Sequence, residues 1–212
     1  MAYFPFMIDI SNKKCLVVGG GNIAFHKVKI LVDFDVHIRV IAPEICESLQ
    51  ELALKYVRSI ELEERDFQEA DIIEMDFVVA ATNDEQLNCH ISDLCRKENI
   101  LINAVDMREA CSFIFPAMIK DGDMLIAIST GGKSPATAAY IKKQLSQWVP
   151  EYYGQMIETI GEYRDYILKH VDTAKKRKEL FNRLLEYGDA HEGKIPREVV
   201  ETLLETFDGQ NI

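Results

Sequence analysis

Two stretches of this sequence place residues with chemical potential at the ends of apolar runs. In VVGGGNIAFHK, residues 17–27, Gly19, Gly21 and Ala24 have the spacing GxGxxA between a strand-like and a helix-like segment. Gly19 would permit a tight turn, Gly21 would let a pyrophosphate approach the backbone, and Ala24 would let the helix pack on the strand. The free amides at a helix N-terminus also favour an anion. The stretch predicts a dinucleotide site, the alternative being a tight turn that binds nothing.

The second stretch is NAVDMREACSFIFPA, residues 103–117, in which Asp106 follows the apolar run ILINAV. Ligands of parallel α/β sheets collect at the carboxyl ends of the strands, so Asp106 is predicted to lie near the reactive ring of a bound dinucleotide. A carboxylate there could accept a proton while a hydride leaves a substrate. It could also simply accept the backbone amides of a turn. The pattern leaves both roles open.

Two further positions follow predicted strands. The second strand ends VIAPE, so the acid expected to bind the ribose hydroxyls is not at the strand tip, and Glu44, after Pro43, is the nearest candidate. No Arg or Lys follows immediately to hold a 2′-phosphate, which favours NAD over NADP. Thr82, after the fourth strand, could face the cofactor. The alternatives are that Pro43 and Glu44 merely start the next helix, and that Asn83 or Asp84 only caps one.

The elements that must position these residues follow a βαβ rhythm, which predicts a doubly wound α/β domain with a parallel sheet. Helices are predicted from about residue 22 to 34, up to about residue 56 and over 84–98, between the strands KCLVVG, VHIRVIA, SIELEE, DFVVAAT and ILINAV. FIFPAMI and MLIAIS flank the turn KDGD and predict a two-stranded meander. Ser134 and Pro135 are placed to begin a helix, and from residue 151 onward only helical spacing remains.

Composition narrows the classes of protein. The 212 residues are 48% hydrophobic, enough for a substantial core, and the net charge of −11 argues against a nucleic-acid partner. No apolar run approaches the roughly 20 residues that span a bilayer, and the N-terminus lacks signal-peptide features, so we expect a cytoplasmic protein without membrane partners. The five cysteines and five histidines show no metal-site spacing. We therefore expect reduced thiols and no metal.

Several motifs together resemble one family. VVGGGNIAFHK, AATNDEQLN, NAVD, CSFIFPA and ISTGGKSPATAAYIKKQL occur in the order and at the separations typical of the precorrin-2 dehydrogenase family. That family comprises stand-alone dehydrogenases and the N-terminal module of siroheme synthase. The resemblance covers residues 1 to about 160 and weakens through the helical tail. NAVD followed by SFIFPA and STGGKSP is far more specific than the glycine motif.

The resemblance implies an enzyme that oxidises precorrin-2, a tetrapyrrole with many carboxylates, to sirohydrochlorin with NAD, on the route to siroheme. It implies a homodimer with an NAD-binding Rossmann domain over residues 1–111, a small α+β dimerisation domain over 112–149 and a helical domain over 150–212 that closes the substrate cleft. The catalytic aspartate of the family falls on Asp106. The cofactor contacts fall on Asn22 and Ile23 in the glycine turn and on Pro43 and Glu44 after the second strand.

Two alternatives stay open. Some family members also insert iron into sirohydrochlorin, and Asp106 could then remove pyrrole protons as the metal enters. A more distant alternative is an NAD-sensing regulatory module without catalysis, which would share the glycine turn but would not need SFIFPA or STGGKSP.

Overall fold

The structure, a computed structural model that describes residues 3–208, consists of two compact units. The first extends to Phe115 and the second begins at Pro116. Residues 112–115 therefore group with the first unit. The division into three domains, at 111/112 and 149/150, remains a prediction.

The first unit is built on a parallel sheet of five strands in the order β3-β2-β1-β4-β5. The strands are β1 (Lys14–Val18), β2 (His37–Ala42), β3 (Ile60–Glu64), β4 (Phe77–Ala80) and β5 (Leu101–Ala104). All of their neighbouring pairs are parallel. The five predicted strands are confirmed, each within one or two residues of its predicted ends.

Helices cover both faces of this sheet, because the strand residues that point to each face are apolar. Val17, Val40 and Val79 belong to a core shared with α1 (Asn22–Leu31) and α2 (Glu47–Lys55). Leu16, Ile41 and Val78 belong to a second core shared with α3 (Glu85–Lys97). The remaining connections include short 3-10 turns at Val32–Phe34, Glu69–Ile72 and Arg108–Ala110. The predicted doubly wound α/β fold is confirmed.

The second unit begins with an antiparallel pair, β6 (Ala117–Asp121) and β7 (Met124–Ile128), joined around Gly122 in the left-handed region. The meander is confirmed. The prediction that its first strand starts at Phe113 is wrong, because Phe113 and Phe115 pack against the sheet of the first unit, and Pro116 cannot donate to a strand ladder.

The rest of the second unit is helical, as predicted, with α4 (Pro135–Trp148), α5 (Tyr153–His170), α6 (Ala174–Ala190) and α7 (Arg197–Asp208). Ser134 caps α4, its hydroxyl accepting from the Thr137 amide, and Pro135 stands in the first turn. The long helical pattern divides at Val171, because Thr173 caps a new helix by accepting from the Lys176 amide. The core of α5–α7 contains buried apolar residues such as Ile167, Leu180, Leu184 and Val200.

The predictions on membrane-spanning segments and on the cysteines can be compared with residues 3–208. None of the helices there is long and apolar enough to cross a membrane. All five cysteines are free thiols; Cys15, Cys95 and Cys111 are buried, while Cys89 is exposed.

Candidate functional site

The turn between β1 and α1 is held against the neighbouring strands by its glycines. Gly19 has φ of +123°, which L side chains rarely adopt. A Cβ atom at Gly19 would lie 2.3 Å from the carbonyl oxygen of Ala81, at the end of β4. The Gly19 amide donates to the carbonyl of Ile41 at 2.9 Å. Gly19 therefore lets the turn lie close to β2 and β4 at once.

Gly20 is just as constrained, although the GxGxxA pattern treats its position as free. A Cβ atom there would lie 2.1 Å from the carbonyl oxygen of Glu44 and 2.9 Å from the Cα of Ile45. The amide of Cys46 donates to the carbonyl of Gly20 at 2.8 Å. The loop after β2 is thereby packed directly on the glycine turn.

Gly21 differs from both, because a Cβ atom there would meet nothing within 4 Å. Gly21 is the N-cap of α1, and no side chain of residues 3–208 hydrogen-bonds to the first amides of this helix, whereas Asp84, Ser134 and Thr173 cap α3, α4 and α6. Gly21, Asn22 and Ile23 are all exposed. An open backbone with uncapped helix amides fits a pyrophosphate, so this turn suits a dinucleotide.

Pro43 and Glu44 are exposed in the loop after β2. They precede α2 rather than start it, since that helix begins at Glu47. Because the backbone of this loop touches Gly20, Glu44 is close to the turn where a ribose would follow the pyrophosphate. The position of Pro43 and Glu44 is thus compatible with the predicted contacts to a cofactor.

Thr82 follows β4, and its side chain forms hydrogen bonds with the residues that come next in the chain. Its hydroxyl donates to the side-chain oxygen of Asn88 at 2.8 Å, and the Asn88 side-chain amide donates to the Thr82 carbonyl at 3.0 Å. Asn88 is only 3% exposed. Asp84 caps α3 by accepting from the amides of Gln86 and Leu87, as its alternative role predicted. The pattern did not single out Asn88, whose buried amide fixes the turn.

Asp106 follows β5 by two residues, and its own geometry is unusual. Its φ is +59°, in the left-handed region, and its side chain is exposed. Asp tolerates this region better than most residues. Within residues 3–208, no hydrogen-bond donor contacts its carboxylate. The alternative role, acceptance of turn amides, is therefore not seen, and the carboxylate is available to a ligand.

The segment after Asp106 returns to β5 and is fastened there. The Ser112 amide donates to the Ile102 carbonyl at 2.8 Å, and the Ile102 amide donates to the Ser112 hydroxyl at the same distance. The buried Asn103 side chain donates to the Phe113 carbonyl at 3.0 Å. A mobile loop tip would not hold a carboxylate in place, whereas these bonds fix both ends of the segment that carries Asp106.

The strand order brings the predicted residues to one edge. β2, β1, β4 and β5 are consecutive in the sheet and parallel, so the segments after them lie side by side at their carboxyl ends. These segments carry Glu44, the glycine turn, Thr82 and Asp106 respectively. This is the edge at which doubly wound proteins bind nucleotides.

The fold and this edge define a Rossmann-type dinucleotide-binding protein. Residues 6–117 match the family described as putative NAD(P)-binding. Because this match spans more than half of the chain, the chain belongs to that family. Residues 121–147 match the family described as sirohaem biosynthesis protein central.

Curated relatives carry the name siroheme synthase. The chain is 36% identical over 212 residues to that of Thioalkalivibrio sulfidiphilus, a match that covers 97% of this chain and 43% of the relative. It is 34% identical over 183 residues to that of Ruthia magnifica, covering 86% of this chain and 38% of the relative. The chain thus spans less than half the length of these relatives.

A solved structure named SirC, precorrin-2 dehydrogenase, shares the fold. The TM-score is 0.70 at 26% sequence identity, and the match covers 98% of this chain and 100% of that one. Together with the relatives, this structure confirms the resemblance that the motifs predicted.

Proposed function

We propose that this chain catalyses the NAD-dependent dehydrogenation of precorrin-2 to sirohydrochlorin, a step of siroheme biosynthesis. The names of its relatives and of the similar structure support this activity. The structural observation that carries the proposal is the Asp106 carboxylate, which is exposed at the carboxyl edge of the sheet without a hydrogen-bond partner in the described chain. The alternative role, acceptance of turn amides, would occupy this carboxylate.

In this proposal the first turn of α1 receives the pyrophosphate of NAD through the open backbone of Gly21 and the amides of Asn22 and Ile23. Gly19 shapes that turn. Pro43 and Glu44 contact the adenosine ribose. Thr82 lies beside the turn, since a Cβ atom on Gly19 would be 3.1 Å from its amide nitrogen. Bound NAD supplies the acceptor for a hydride.

The reaction removes two hydrogens from the substrate, one as a hydride and one as a proton. Asp106 is the proposed proton acceptor, because an ionised carboxylate at this edge can take the proton as the hydride leaves. If placement of the substrate suffices and solvent takes the proton, Asp106 orients the substrate instead. Both versions require the carboxylate.

The proposed cofactor is NAD rather than NADP. Pro43 and Glu44 are followed by Ile45, Cys46 and Glu47, so the loop after β2 offers carboxylates and no cation. Carboxylates would repel a 2′-phosphate. We expect the specificity constant kcat/KM to be at least about tenfold higher with NAD, a difference of about 1.4 kcal/mol in transition-state stabilisation.

An anaerobic absorbance time course tests the proposed function. The purified chain is mixed with precorrin-2 and NAD, NADP or neither, and the NADH and sirohydrochlorin bands are followed. We expect both bands to rise together only when a nicotinamide cofactor is present. If NAD does not accelerate the reaction over a protein-free mixture, the proposed function is wrong. A parallel mixture of sirohydrochlorin and Fe²⁺ without NAD tests the chelatase alternative.

We also propose that the chain acts as a homodimer through residues 112–149. Support comes from α4, where Tyr140, Ile141 and Trp148 are 64%, 37% and 86% exposed. Several exposed large apolar side chains on one helix favour an interface. Sedimentation velocity should show a dimer that Trp148→Glu weakens. Leu54→Glu is the matched control, since Leu54 is a similarly exposed apolar residue of the first unit, 77% exposed. A monomeric wild-type chain would exclude the dimer.

A further inference from the structure

Lys27 lies on the flank of α1 that faces the core. Ala24 and Val28 on this helix are fully buried, and Lys27 is partly buried beside them, while its neighbours His26 and Lys29 are exposed. A lysine in such a position covers apolar surface with its methylene chain and extends its ammonium beyond it.

The Lys27 ammonium contacts the chain that follows Asp106, at Phe115. It lies 4.2 Å from the centroid of the Phe115 ring, within the distance of about 6 Å at which a cation is attracted to an aromatic face. Burial lowers the pKa of Lys27, while the nearby Cys111 and Asp106 act to raise it. The contact with Phe115 and the partial burial place Lys27 against the chain that follows Asp106, so it is not a remote surface lysine.

Among the described residues, Lys27 combines partial burial with the lack of a direct ion pair. In the described chain its ammonium forms no hydrogen bond and no ion pair. Lys13 and Lys14 in the same unit are more exposed, yet they contact Asp76 at 3.0 Å and Glu74 at 3.1 Å. A partly desolvated charge without a direct hydrogen-bonding partner is unfavourable, so this position is more readily explained by a ligand than by the fold.

We propose that Lys27 binds a carboxylate of the anionic substrate beside Asp106. This inference rests on the proposed function for the identity of the substrate as a polycarboxylated tetrapyrrole. An acidic substituent brought near Asp106 is repelled by its carboxylate, and a neighbouring ammonium offsets that repulsion. The pyrophosphate is a less suitable partner, because the open backbone of Gly21 already offers it a place at the start of the helix. Lys27 is thus assigned to the substrate and not to the cofactor.

The test uses three variants of the full chain. Lys27→Met removes the charge and keeps an apolar stem of similar length, Lys27→Arg keeps the charge, and Lys29→Met is the matched control. Lys29 is exposed on the same helix and also lies over an aromatic ring, with its nitrogen 5.9 Å from the Phe25 centroid. The affinity for sirohydrochlorin is measured by absorbance titration, and the affinity for NAD by calorimetry. KM and kcat with precorrin-2 are measured separately.

We expect Lys27→Met to weaken sirohydrochlorin binding by roughly tenfold or more, the range for loss of one charge-assisted hydrogen bond. KM for precorrin-2 should rise similarly with little change in kcat, because a substrate anchor contributes equally to the ground and transition states. NAD affinity should not change. Lys27→Arg should retain most of the affinity, and Lys29→Met all of it.

Unchanged sirohydrochlorin affinity in a folded Lys27→Met protein would overturn the proposal. So would a fall in kcat with KM unchanged, which would place Lys27 in the chemistry at Asp106. If Lys27→Met does not fold, the sirohydrochlorin titration is made with Lys27→Gln instead, and the same outcomes apply. Failure of the proposed function is distinguishable, because wild-type protein would then produce no NADH from precorrin-2 whatever the Lys27 variants do to sirohydrochlorin binding.

Discussion

The backbone amide of Cys46 donates a hydrogen bond of 2.8 Å to the carbonyl of Gly20. This bond joins the loop after β2 to the glycine turn after β1, so the two segments that we propose to contact the cofactor are held together through their backbones. A Cβ atom on Gly20 would lie 2.1 Å from the Glu44 carbonyl, while one on Gly21 would meet nothing within 4 Å. The neighbouring glycines therefore differ: Gly20 is packed against the loop after β2, whereas Gly21 is open and is the proposed place of the pyrophosphate.

Replacing each of these glycines with alanine should separate stability from cofactor binding. We expect Gly20→Ala to lower the free energy of unfolding by about 3 kcal/mol, because backbone must move to admit the methyl group. Gly21→Ala should change it by less than about 0.5 kcal/mol and weaken NAD binding by roughly tenfold or more. Urea unfolding and calorimetric titration with NAD measure the two effects. Wild-type NAD affinity in Gly21→Ala would exclude a pyrophosphate at this turn.

Much of this edge could be predicted from the sequence, because apolar runs and a glycine motif are local signals. Strand positions follow from consecutive apolar residues, and the parallel sheet then places Glu44, Thr82 and Asp106 at one edge. The packing of Gly20 could not be predicted, since it depends on a loop more than twenty residues away in the sequence. The same holds for Asn88, which supports Thr82 from the next helix.

The position of Lys27 could not be predicted from the sequence either. In the sequence it is one basic residue on a helix, and helical lysines are usually solvated. Only the return of the chain after β5, which brings Phe115 to the helix, gives its ammonium an aromatic neighbour. The left-handed conformation of Asp106 is also invisible in the pattern, because Asp adopts both left- and right-handed conformations.

A second prediction concerns acid stability through Asp71, which is buried at 6% exposure. Its carboxylate accepts from both terminal nitrogens of Arg65 at 2.8 and 2.7 Å and from the Gln68 amide at 2.7 Å. These bonds, with that of the Arg65 side chain foremost, lower the pKa of Asp71. We expect Asp71→Asn to lower the free energy of unfolding at neutral pH by about 2 kcal/mol.

The loss of unfolding free energy in Asp71→Asn should be smaller at lower pH. Since the folded pKa of Asp71 is below the unfolded value of about 3.9, its contribution is complete above that value and disappears as the pH falls through the folded pKa. Urea unfolding at a series of pH values should therefore show the wild-type and Asp71→Asn proteins converging in acid. Asp93→Asn, on the exposed face of α3, is the control and should follow the wild type. A difference that persists at low pH would contradict this account.

A third prediction is that thiol reagents distinguish the cysteines. Burial raises the pKa of Cys95 to about 11 and also raises the pKa values of Cys15 and Cys111. Thiolate is the reactive form, so these three should react slowly in the folded protein. Cys89 is exposed and should be alkylated first, as peptide mapping after brief treatment with iodoacetamide would show. Cys89→Ser should remove the fast phase, and equally fast labelling of Cys111 would show that the segment after β5 opens.

The last prediction concerns Asp106, for which asparagine is the appropriate replacement. Asp106→Ala would place alanine at φ of +59°, at a cost of roughly 1 kcal/mol that asparagine largely avoids. We expect Asp106→Asn to lower kcat for NADH production from precorrin-2 by about 100-fold or more, the range for loss of a general base. NAD affinity and melting temperature should not change, because the carboxylate makes no hydrogen bond within residues 3–208. Glu109→Gln, an exposed carboxylate on the same segment, is the matched control and should keep full activity. If Asp106→Asn retains wild-type kcat and only KM rises, the carboxylate positions the substrate and solvent accepts the proton.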